Sequence, residues 1–184
     1  MSYFSSERER RLWLWTLVVV VAIYASLGFA RTLAEVLHDR GLVDSIFVTG
    51  FFLALVAIFL HGLRMRFGRV EIIVWLGVIA AYLMVAARVG IPEERTHLFE
   101  YTVVALFIYE ALMERVNQGR AVLSPPLLAI LLTSVIGTLD ECIQLFLPGR
   151  VFDPIDILFN LLAATMAVSA SVALAWARRL TMRL

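Results

Sequence analysis

GTLDECIQLFLPGRVFDPIDILFN, residues 137–160, sets Asp140, Glu141, Gln144, Arg150, Asp153, Asp156 and Asn160 into two of the most apolar stretches of the chain. A charged side chain at the centre of a membrane span costs at least ~2.5–3.5 kcal/mol, so such residues persist where they face a protein interior, a watery cavity or a ligand. Pro148 and Gly149 break the run, and Asp153 before Pro154 has the form of an N-cap followed by proline at the first helical position. The segment therefore reads as helix, tight turn, helix, with acids on both sides of the turn. Gln144 is i+4 from Asp140 and i+3 from Glu141, while Asp153, Asp156 and Asn160 fall at i, i+3 and i+7, a single stripe. Arg150 is held on the turn above the carboxylates, either pairing with Asp140 or Glu141 or snorkelling to the interface.

The rest of the chain supplies the solvent for this reading. Of 184 residues, 61% are hydrophobic and 17% charged, and the mean hydropathy is +0.88. These values point to a bilayer rather than to an aqueous globular domain. A net charge of +1 lacks the concentrated basic face that nucleic acid requires. Every basic residue is Arg, which removes lysine Schiff-base chemistry. The single Cys, Cys142, rules out an intrachain disulfide and, in an apolar helix, reads as a packing residue.

A hydrocarbon core about 30 Å thick takes roughly 20 helical residues. The expected fold is all-α: one membrane domain, 1–184, forming a polytopic transmembrane helix bundle of about six spans near 12–30, 46–63, 70–89, 97–115, 125–146 and 154–177. The first run is longer than the roughly 7–15 apolar residues of a signal peptide and reads as an uncleaved anchor. Between spans 1 and 2, RTLAEVLHDRG groups Leu33, Val36 and Leu37 on one face, and a short interfacial helix is expected there. Arginines near span ends stay cytoplasmic. Arg8, Arg10, Arg11, Arg64, Arg66, Arg69, Arg115, Arg120, Arg178, Arg179 and Arg183 outweigh Arg31, Arg40, Arg88, Arg95 and Arg150. Both termini are therefore expected in the cytoplasm, in a bacterial inner membrane, and the turn at 147–153 outside.

In that topology span 4 begins at the outer surface with His97, followed at i+3 and i+4 by Glu100 and Tyr101 on the same face. Three stripes thus meet at one leaflet. His97, Glu100, Tyr101, Asp140, Glu141 and Gln144 form the candidate catalytic set, with His97 as general base or metal ligand and the adjacent acids suited to proton transfer. Arg150, Arg88 and Arg95, with Asp156 and Asn160, are the candidate substrate-binding groups, since guanidinium holds phosphate or carboxylate in bidentate fashion. The mixed nitrogen and oxygen donors suit Zn²⁺, Mn²⁺ or Mg²⁺, although the spacing matches no known metal motif. Two other readings stand beside catalysis: a pocket that binds or transports a headgroup, antibiotic or ion, and a hydrogen-bond network that only joins spans 4 to 6. Toward the inner end, Glu71 and Glu114 read as solvated and Glu110 as structural. Small residues in span 6, such as Ala163 and Ala167, suit packing within the bundle or against a second copy.

THLFEY at 96–101, together with D-E-x-x-Q-x-F-x-P-G-R-x-x-D-x-x-D-x-x-x-N from Asp140 to Asn160, resembles the VanZ-like family of bacterial membrane proteins, named for a protein linked to teicoplanin resistance. The resemblance covers roughly residues 70–170. It marks His97, Tyr101, Glu141, Gln144, Arg150, Asp156 and Asn160, with Asp140 and Glu100 as common companions. One departure is Ala163, where many members place Gly three residues after the Asn. The resemblance implies a cell-envelope membrane protein with a link to glycopeptide sensitivity; the outer-leaflet site itself is expected to meet membrane lipids and, on the enzyme reading, to hydrolyse or transfer a group of a lipid-linked or lipid-like envelope substrate.

Overall fold

A computed structural model describes residues 3–27, 68–88, 92–147 and 152–182, with backbone alone at 86–87 and 92–96. Within them the regular structure is entirely α-helical: α1 Glu7–Ser26, α2 Arg69–Arg88, α3 Pro92–Asn117, α4 Pro125–Gln144 and α5 Pro154–Thr181. Two of these described helices, α4 and α5, are by length and composition long and apolar enough to cross a membrane. The expected span at 46–63, the interfacial helix and Arg150 lie outside the described residues.

Local chemistry sets the helix ends. Ser6 caps α1, its hydroxyl accepting from the Glu9 N–H at 3.0 Å, and Glu7 and Glu9 sit where the helix dipole favours acids. α3 stops at Gly119, whose φ of 79° permits a Schellman turn: Arg120 N–H reaches Arg115 O at 3.1 Å and Gly119 N–H reaches Val116 O at 2.9 Å. Asp153 caps α5 by accepting from Ile155 N–H at 2.8 Å, with Pro154 following it.

Helix α3 is central, packed by α1, α4 and α5, while α5 also receives α2. Helices α2 to α5 alternate in direction: the start of α2 meets the end of α5, where Gly68 lies against Thr181 and Arg178 Nε lies 3.8 Å from Glu71. The core is built of Val104, Ala105, Ile108 and Leu112 of α3 against Ala129 of α4 and Ala164, Ala167 and Val168 of α5. Small side chains on α5 let the helix axes approach, so Ala163, Ala164 and Ala167 pack within the bundle.

Polarity is inverted relative to a protein that folds in water. Leu127, Leu131, Val135, Leu139 and Ile143 form an exposed i, i+4 stripe along α4, while Thr133, Asp140, Glu141 and Gln144 of the same helix are buried. On α1, Leu14, Leu17, Val18 and Val21 are likewise exposed.

One end of the bundle, formed by the start of α1 and the end of α3, carries an ionic clamp. Glu9 is fully buried and accepts from Arg115 Nε at 2.8 Å and from Ser5 N–H at 2.6 Å. Glu114, expected in water, is instead buried; it accepts from Ser6 Oγ at 2.8 Å, Gln118 Nε2 at 3.0 Å and Arg8 at 3.2 Å. The amino-terminal segment folds over the end of α3 and covers it, a contact no helical period reveals. Glu71 is also buried beside Arg178 rather than solvated. Glu110 pairs with Arg8 at 2.9 Å, in line with its structural reading.

Candidate functional site

At the opposite end, α3 starts, α4 finishes and α5 starts, so the three polar stripes converge. His97, Tyr101, Asp140, Glu141, Gln144 and Asn160 are all buried, with Asp140 and Glu141 having no exposed surface. His97 lies between two carboxylates: Nδ1 is 4.0 Å from Asp140 Oδ2 and Nε2 is 3.8 Å from Asp156 Oδ2. One turn along α3, the Tyr101 ring stacks with the imidazole, centroids 6.0 Å apart and planes 12° from parallel. That contact is the i, i+4 geometry of an α-helix made visible.

Glu141 is held from two directions. Gln144 Nε2 donates to its Oε1 at 2.8 Å, and the backbone N–H of Asp153 donates to its Oε2 at 3.3 Å. Asp153 is therefore the cap of α5 and, through its backbone, a tether for Glu141. Asn160 Nδ2 donates to Gly137 O at 3.4 Å. A Cβ at Gly137 would stand 2.7 Å from the Asn160 Cβ, so the close pass of α4 and α5 depends on glycine there. Ala163 is fully buried beside Leu98 and Tyr101. For the α4–α5 pass the small residue is thus Gly137 of α4, whereas Ala163 of α5 packs on α3.

Glu100 is half-buried at the edge of this set, and Asp156 is likewise partly open. Arg88 is exposed at the end of α2, and among the described residues no ion pair joins it to the carboxylates; the Arg95 side chain lies outside them. Cys142 is exposed on α4, facing away from the core where packing was expected. Tyr24 was missed by sequence reasoning. Its hydroxyl donates to Ile136 O at 2.8 Å, and its ring end feels the charge of Asp140, so α1 closes a fourth side. The available signal was its position near the end of an alternating helix, at the same level as Asp140.

Behind the cluster, α2 and α5 leave an apolar groove of about 360 Å³ lined by Val74, Gly77, Val78, Ala81 and Tyr82 with Met166, Ser169, Ala170 and Ala173. Tyr82 and Met166 also pack on Leu98, Tyr101 and Ala163, so the groove reaches the wall of the His97 site. Chemically, the site offers an imidazole, up to three carboxyls and two amides in a water-poor enclosure. It suits proton transfer or cation binding. No protein-family model, curated protein or solved structure matches the chain.

Proposed function

We propose that the chain is a VanZ-like, multi-pass membrane enzyme that hydrolyses or transfers a phosphate-bearing group of a lipid-linked envelope substrate at the extracytoplasmic leaflet. The observation that carries this reading is His97 buried between Asp140 and Asp156, beside a Glu141 oriented by Gln144. A histidine with a carboxylate on each nitrogen can accept a proton on one side while being oriented and stabilised on the other. The apolar groove that shares Tyr82 and Met166 with the wall of the site supports a lipid chain as the substrate's anchor. Inverted polarity and the arginine distribution support six spans with both termini cytoplasmic.

The test uses the full chain purified into lipid nanodiscs and offered a polyprenyl diphosphate, with phosphate release measured. Glu141→Gln and His97→Gln are expected to lower the rate by about 10²–10⁴-fold with melting temperature retained. Collapse of the fold in both variants would support a purely joining role instead. Binding of the lipid with no release by the wild-type chain would make it a binding or transport protein. In cells, the family proposal predicts a changed sensitivity to teicoplanin when the chain is removed.

A further inference from the structure

We infer that His97, Asp140 and Glu141 form a binding site for a divalent cation of the zinc or manganese class; this rests on the reading of the same cluster as a reaction centre. One nitrogen of His97 and one oxygen from each acid lie within 4.8 Å of one another, all three residues being buried. Nδ1 and Asp140 Oδ2 are 4.0 Å apart, longer than a hydrogen bond and closer to the ~3.4 Å that separates two ligands of one tetrahedral ion with bonds near 2.1 Å.

The surroundings point the same way. A histidine that ligates a metal characteristically presents its other ring nitrogen to a carboxylate, and Asp156 lies on that far side at 3.8 Å. Glu141 has the same outer support, from Gln144 Nε2 and the Asp153 N–H. One further oxygen, Asn160 Oδ1, one turn deeper than Asp156, is fully buried with no hydrogen-bond partner among the described residues, and the Tyr101 hydroxyl is directed at the Asp140 carboxyl. Three protein ligands leave a fourth position for water or a substrate oxygen, the pattern of a catalytic rather than a structural ion. One imidazole with two carboxylates favours Zn²⁺ or Mn²⁺ over a softer metal.

The experiment strips the full-length chain in nanodiscs with EDTA and titrates Mn²⁺, reading free ion by electron paramagnetic resonance and the bound ion by its coupling to imidazole nitrogen. One Mn²⁺ per chain with a histidine nitrogen coupling is expected, displaced by Zn²⁺. His97→Ala should weaken binding by at least ~100-fold and Gln144→Ala or Asp156→Asn by about 10-fold, while Glu71→Gln at the other end leaves it unchanged. Absence of stoichiometric binding, a bound ion without nitrogen coupling, or full binding by His97→Ala overturns the inference. Should His97→Ala fail to fold, the nitrogen coupling in the wild type and the Asp156→Asn titration decide. Cation binding without phosphate release leaves the site standing and removes the hydrolytic reading; release by metal-free chain does the reverse.

Discussion

At the scale of single residues, the fold leans on contacts that differ in how much water they see. Arg115 and Glu9 form a pair of which the acid is fully buried, whereas Arg8 meets Glu110 with both side chains about half exposed. Arg115→Met leaves a buried carboxylate without its cation and should cost about 3 kcal/mol, against under ~1 kcal/mol for Arg8→Ala; thermal melts of both variants in one detergent check the contrast. Burial pushes the Glu9 carboxyl up, but hydrogen bonds from Ser5 and the Arg115 guanidinium outweigh it and hold the group below its ordinary value. Its contribution is therefore present above the ordinary carboxylate pKa and lost as pH falls through the lowered value. Acid should loosen the clamp, and Glu9→Gln should flatten the acid limb of the stability curve. At Gly137 a single methyl group meets Asn160, so Gly137→Ala is expected to destabilise by about 1–3 kcal/mol, seen as a lower melting temperature. His97, Tyr101, Gln144 and the α5 stripe were legible in the sequence because helical period alone puts them on shared faces. Glu114 and Glu71 were not, because their burial depends on which partner helix or terminus covers them.

At the scale of elements, Asp153 couples a helix start to the site. Asp153→Ala should cost about 1 kcal/mol through loss of the cap, while Asp153→Asn, which still caps, should stay close to wild type in both melting temperature and phosphate release. The groove between α2 and α5 gives a different kind of prediction. A Cβ at Gly77 meets nothing within 4 Å and Gly77 lines the groove, so Gly77→Leu is expected to place its side chain in the groove. It should raise KM for a long-chain polyprenyl substrate several-fold and leave a short-chain one unaffected. Helices α2 to α5 fall near the spans read from hydropathy, with ends shifted by a few residues where caps rather than apolarity decide: Gly119 and Asp153 are examples. The groove itself was not legible, because it arises where two helices that are distant in sequence fail to fill the space between them.

At the scale of the whole molecule, the inverted distribution of polarity is the strongest constraint. With the start of α1 and the end of α3 at one end and the His97 cluster at the other, the proposed topology puts Gln118 in the cytoplasm and Phe152 outside. In a Cys142→Ser background, Phe152→Cys should react with an impermeant maleimide in intact cells, and Gln118→Cys only after lysis. The opposite pattern would move the site to the cytoplasmic leaflet. The all-α character and the apolar outer faces were legible in the hydropathy of the sequence, but not the enclosure of the site by Tyr24 of α1. The contact between Gly137 and Asn160 also bears on how the chain is made. Asp140 and Glu141 sit at the trailing end of α4, and the groups that satisfy Glu141 from outside its own helix arrive only with α5. On the proposed membrane topology the two helices are therefore expected to enter the bilayer together, as a hairpin, because a chain stalled before α5 would leave two acids in lipid.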